Sequence, residues 1–124
     1  IEKYKGMIYT TERAVPNRFK QKNMIVLETK LKISKDSIAG GLSGLTALNL
    51  ACLFADEVYL LGYDMYHGHY YSDAPDLYDR PLAKKFNEKF RELKELFPEV
   101  SIYNCNPDSA LNCFEYRDIN KIIT

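Results

Sequence analysis

Residues 40–64, GGLSGLTALNLACLFADEVYLLGYD, constrain the fold more than any other stretch of the chain. Between Leu45 and Phe54 only Thr46 and Asn49 interrupt an apolar run. A surface helix carries one apolar stripe, so a helix apolar on most sides is expected to be enclosed. Ser43 is its candidate N-cap. Val58 to Leu61 follows as an apolar run of strand length, the habit of a parallel strand covered on both faces. Gly62 and Asp64 then fall at the carboxyl end of that strand, where open α/β sheets take their ligands. A helix N-terminus also favours anions. Residues 40–44, Gly41, Ser43 and Gly44 among them, are therefore a candidate phosphate or anion cradle, with Asp64 nearby. The plainer alternative is a glycine turn with a capping serine, and G-G-x-S-G is neither a P-loop nor a dinucleotide fingerprint.

A chain of 124 residues has room for one core. Its formal net charge of zero gives no general attraction for nucleic acid or a membrane surface. No apolar run approaches the length of a membrane span. Cys52, Cys105 and Cys113 lack metal-ligand spacing, and an odd number argues against a disulfide framework. Free thiols in a reducing cytosol are expected, hence a cytoplasmic protein. A doubly wound domain opens with a strand and a phosphate-binding turn. The chain starts at Ile1 with neither. It reads as a single domain over residues 1–124, or as the C-terminal part of a larger one. The expected fold is α/β and Rossmann-like, with a mostly parallel sheet flanked by helices and short of its first strand or strands.

Residues 5–11 and Met24 to Leu27 suit short strands, and the polar stretch from Glu12 to Asn23, with Pro16, suits a loop or a short irregular helix. Six basic residues between Arg18 and Lys35 read either as a solvated face or as a surface for an anionic acceptor. Leu82, Phe86, Phe90, Leu93 and Phe97 recur at helical spacing and predict an amphipathic helix over 79–97, stopped by Pro98. Residues 100–105 form the next strand, which closes a βαβ unit. Asn104, Asn106 and Ser109 cluster at its end, with Asn106 placed to cap a short helix beginning at Pro107. Asp118 starts a last segment whose Ile119, Ile122 and Ile123 are expected to pack on the sheet.

The loop after Asp64 is rich in aromatic and histidine side chains, among them Tyr66, His67 and His69. Such a loop closes over a sugar or nucleoside, or covers the sheet edge. His67 and His69 are candidate general bases because histidine titrates near neutral pH. Together with Asp64 they lack a fourth ligand, so no metal is expected.

Two segments together resemble the bacterial sialyltransferases that build lipooligosaccharide. The matching residues are Ser43 and Gly44 at the helix start, Gly62 and Asp64 at the strand end, and Cys105, Pro107, Ser109 and Leu111 in the late turn. The chain also resembles the 6-hydroxymethylpterin diphosphokinase-like Rossmann family, which has phage and bacterial members. The resemblance implies binding of a nucleotide sugar of the CMP-sialic-acid kind, held by Ser43, Gly44 and Ser109 with Asp64 near the donor. It implies inverting transfer with a histidine base, tyrosine hydroxyls on the leaving phosphate, and no metal or other cofactor. Residues 72–86 contain no histidine, so His67 or His69 takes that role here. The rival expectations are a non-catalytic nucleotide- or phosphate-binding module and a phage structural or interaction protein. Homo-oligomerisation is compatible with each.

Overall fold

A computed structural model describes residues 5–11, 24–30, 33–35, 37–39, 42–65 and 80–123, apart from the side chains of residues 80–83. In chain order the elements are β1 (Ile8–Thr10), β2 (Met24–Val26), β3 (Thr29–Lys30), β4 (Ile38–Ala39), α1 (Ser43–Phe54), β5 (Glu57–Leu60), α2 (Arg80–Leu96), β6 (Ser101–Asn104) and β7 (Glu115–Tyr116), then a 3-10 turn, Ile119–Lys121. The fold is mixed α/β. Every pairing among the described strands is parallel: β1 with β2, β3 with β4, and β6 with both β5 and β7. Two-residue strands such as β3 and β4 are too short to leave a hydrophobic pattern, so the sequence shows only a lead into the glycine loop.

The amphipathic spacing over 79–97 is realised as α2, which buries Phe90 and Leu93 and ends just before Phe97 and Pro98. With β5 and β6 it makes the expected parallel β-α-β unit. Val58, Leu60 and Ile102 join α2 and α1 in one core, which also takes in Leu45, Leu48 and Phe114. The other face of this sheet stays half-buried. There Tyr59 stacks on Tyr103 at 5.4 Å, and the Arg117 guanidinium lies 3.8 Å above the Tyr103 ring. β5 is therefore covered on one face rather than two, and Leu61 lies past its end with 62% exposure.

Three further expectations change. α1 is not enclosed: Leu45, Leu48, Asn49 and Cys52 are buried, but Phe54 is 73% exposed. Only one flank of its apolar surface meets the core. Ser43 is the first helical residue and not the cap; extended Leu42 holds that place, and no side chain caps the turn. Asn106 and Pro107 begin a tight turn and no helix. The Asn106 Oδ1 accepts from Asp108 N at 2.9 Å, so the amide is used two residues on.

β7 was not foreseen, since Glu115 and Tyr116 are both exposed and show no apolar pattern. It reaches β6 through residues 105–114 without a crossover helix. α2 anchors that connection instead. Asn87 donates to Ala110 O at 2.9 Å and accepts from Asn112 N at 3.0 Å, and Lys94 Nζ reaches Cys113 O at 2.9 Å. Asp118 caps the final turn by accepting from Asn120 N, but Ile123 is 75% exposed and does not pack on the sheet.

Candidate functional site

The link from β4 into α1 is fixed at Ala39, which is fully buried. Its N–H donates to Asn49 Oδ1 at 2.8 Å. Its carbonyl accepts from Thr46 Oγ1 at 2.6 Å, and Leu42 O is a second acceptor for that hydroxyl at 2.9 Å. The two polar residues that interrupt the apolar helix thus clasp both peptide groups at the end of β4. Among the described residues Asn49 Nδ2 has no partner, although it is buried.

One flank of the α1 N-terminus is filled by Tyr63. After β5 the backbone turns through left-handed residues at Gly62 (φ 75°) and Met65 (φ 62°). Between them, the Tyr63 hydroxyl donates to Gly44 O at 2.9 Å. The ring stands edge-on to Phe90, 6.0 Å between centroids. A Cβ on Gly44 would lie 3.1 Å from Tyr63 Cε1, so glycine there gives room to this ring. Burial raises the Tyr63 phenol above its usual pKa and keeps it a donor.

The turn after β6 locks against the same strand end. Ser109 Oγ donates to Tyr63 O and accepts from Leu111 N at 3.0 Å. Ala110 N donates to Asp64 O at 2.8 Å, and Asn106 Nδ2 donates to the Asp64 carboxylate. Asn104, only 2% exposed, donates to Leu111 O and accepts from Asn106 N. Gly44, Asp64, Asn104, Asn106 and Ser109 do converge, through Tyr63, but their polar groups are largely engaged with one another. Ser43 lies at the edge of this cluster. Gly41, Tyr66, His67 and His69 lie outside the described residues.

This latch yields a test at Gly44. Alanine is worth up to about 1 kcal/mol over glycine in a helix interior, but overpacking against a pinned ring costs about 1–3 kcal/mol. Gly44→Ala is expected to destabilise by about 1 kcal/mol in urea unfolding. In a Tyr63→Ala background the same change is expected to stabilise.

The other flank of α1 is open. A cleft of about 500 Å³ runs between it and the carboxyl ends of β1 and β2. Tyr9 and Thr10 line it from β1 and Thr11 from just past its end, Leu27 from just past β2, and Thr29 from β3. From the helix come Leu42, Ser43, Thr46, Ala47 and Leu50. The Thr11, Thr29 and Ser43 side chains make no hydrogen bond within the described residues. Among the described lining residues none is an acid or a base of the Asp, Glu, Lys, Arg or His kind. Polar hydroxyls at one side and apolar walls at the other are the usual make-up of a small-molecule site. The sequence pointed to Ser43 alone of this set. The signal for the rest was the hydroxyl pair Thr10–Thr11 at the carboxyl end of a predicted strand, in the position where strand ends face ligands.

Among the described residues no group of His, Cys, Asp or Glu could hold a metal ion. No helix there is long and apolar enough to cross a membrane. The three cysteines are free. Burial, with the Glu99 charge second, pushes the Cys52 thiol up to about 11, so it stays protonated near neutral pH. Comparison with known proteins returns no matching family model, no matching curated protein and no matching solved structure.

Proposed function

We propose that this chain is a Rossmann-like domain that binds a nucleotide or nucleotide sugar in the cleft on the open flank of α1. The observation that carries the reading is the place of that cleft. It lies beyond the carboxyl ends of parallel strands and beside the first turns of a helix, where such sheets take phosphorylated ligands. With no cationic side chain in the described lining, a phosphate would be met by hydroxyls, helix N–H groups and the partial positive charge of the helix end. Of the residues that carry the sialyltransferase resemblance, Ser43 lines the cleft, while Gly44, Asp64 and Ser109 meet around Tyr63 on the other flank of α1.

The test is thermal unfolding with a panel of inorganic phosphate, nucleotides and nucleotide sugars. A ligand at a hundredfold excess over its Kd stabilises the native state by about 2.7 kcal/mol. Ala47 is exposed on the cleft wall, so Ala47→Phe is expected to fill the cleft and abolish the ligand shift. Unliganded stability should change by less than about 0.5 kcal/mol. No shift with any phosphorylated compound, or a shift that survives Ala47→Phe, overturns the reading.

Glycosyl transfer adds a step to the same binding. His67 or His69 would then take the acceptor proton. Donor turnover that disappears in His67→Ala or His69→Ala, with the thermal shift retained, supports the enzyme. Binding without turnover in the unaltered chain supports the module.

A further inference from the structure

α1 is apolar on two flanks, and the core uses one. Leu45, Leu48 and Cys52 enter the core. Ser43, Ala47 and Leu50 line the cleft instead, and Phe54 continues that flank at helical spacing. At 1.5 Å per residue, Leu50 lies about 10 Å and Phe54 about 16 Å along the axis from Ser43. The groove therefore changes character along its length. Its first part offers hydroxyls and the helix N-terminus. Its far part offers Leu50 and the ring of Tyr9.

Tyr9 also lines the cleft. Its ring meets Phe54 with centroids 6.4 Å apart and planes tilted by 35°. Tyr9 keeps 42% exposure and Phe54 73%. An aromatic pair is thus left open beside a cavity, although the same chain buries Phe90 completely. Leu27, at the end of the neighbouring strand, is tied to β1 through its N–H on Thr10 O at 2.7 Å and walls the cleft as well.

We infer that this aromatic end receives the base of the bound nucleotide, with Tyr9 as its stacking platform and the phosphate toward Ser43. The inference rests on the nucleotide reading above and adds orientation and selectivity to it. Among the described residues at this end, Tyr9, Leu27 and Leu50 offer ring faces and methyl groups, with the Tyr9 hydroxyl the one polar side-chain group of the three. Stacking of that kind accepts any base, since every base has a π-face. The site is expected to prefer nucleotides over sugar phosphates while discriminating weakly among bases.

Calorimetric titration of the whole chain with ribose 5-phosphate and with the four nucleoside 5′-monophosphates tests this. The monophosphates are expected to bind about tenfold or more tighter than ribose 5-phosphate, and to lie within about fivefold of each other. Tyr9→Phe should keep the advantage. Tyr9→Ala should remove it and leave ribose 5-phosphate binding unchanged; Tyr9→Leu, which preserves apolar bulk without a ring face, should do the same. Equal binding of ribose 5-phosphate and nucleotides by the unaltered chain overturns the inference and leaves phosphate binding standing. So does an advantage that survives both Tyr9→Ala and Tyr9→Leu, or a strong preference for one base. Failure of every phosphorylated compound to bind removes the nucleotide reading itself.

Discussion

Phe90→Ala is expected to lower stability by about 3–5 kcal/mol, the range for emptying a buried phenylalanine site. Against the 5–15 kcal/mol that typically separates folded from unfolded domains, that is a large fraction. The reason is position. Phe90 has no exposed surface. Its ring meets Tyr63 and Phe114 edge-to-face, with centroids at 6.0 and 6.3 Å. One side chain on α2 therefore supports both the turn after β5 and the segment entering β7. Edge-to-face pairs add about 0.5–1.5 kcal/mol each beyond area burial, and alanine can replace neither. The urea midpoint should fall with little change in slope if unfolding stays two-state. Phe54→Ala serves as the contrast: Phe54 is 73% exposed and should cost little. A Phe90→Ala loss below about 1 kcal/mol would place the core elsewhere than on this ring.

Much of this arrangement is visible in the residues alone, for identifiable reasons. α2 is long and strictly periodic, and Pro98 stops its pattern, so its span follows closely from sequence. The β5-α2-β6 unit follows from the two apolar runs on either side of it. The meeting of Asp64 and Ser109 also follows, since the paired parallel strands β5 and β6 end at the same edge.

What does not follow is how those groups spend their hydrogen bonds. Nothing in the composition of residues 62–64 says that Tyr63 turns back to Gly44, because that depends on left-handed backbone at Gly62 and Met65. A glycine at a helix start reads as an opening for a ligand, and in the fold it makes room for a ring. The open flank of α1 is hidden for a different reason. An apolar residue beside a cleft and one in a core look alike in sequence, so Leu50 and Leu48 cannot be told apart until the strands are placed. β7 is hidden because its pairing is long-range and both its side chains are exposed.

The same dependence on hydrogen bonds makes Asn104 the second strong prediction. Asn104→Leu keeps roughly the volume of the side chain, so little cavity is created. What is lost is polar. Asn104 Nδ2 donates to Leu111 O at 3.2 Å and Oδ1 accepts from Asn106 N at 3.1 Å. Each backbone group stranded in a buried site costs about 1–3 kcal/mol. Asn106 is half-buried and recovers part of its share from water, so a total of about 2–4 kcal/mol is expected. Asn104→Asp separates this cause from packing. The carboxylate keeps the acceptor for Asn106 N but faces Leu111 O without a proton, in a site 2% exposed. Burial raises the pKa of that carboxyl in the folded state above the unfolded value of about 3.9. The folded form then binds a proton that the unfolded form has released. The penalty relative to the unaltered chain at the same pH is therefore smallest below pH ~4 and grows as pH rises toward the folded pKa. Urea unfolding of Asn104→Asp and Asn104→Leu at pH 5 and pH 7 measures it. The aspartate deficit should shrink at the lower pH and the leucine deficit should stay constant. An aspartate deficit independent of pH would mean that the amide is not what holds the turn against Tyr63.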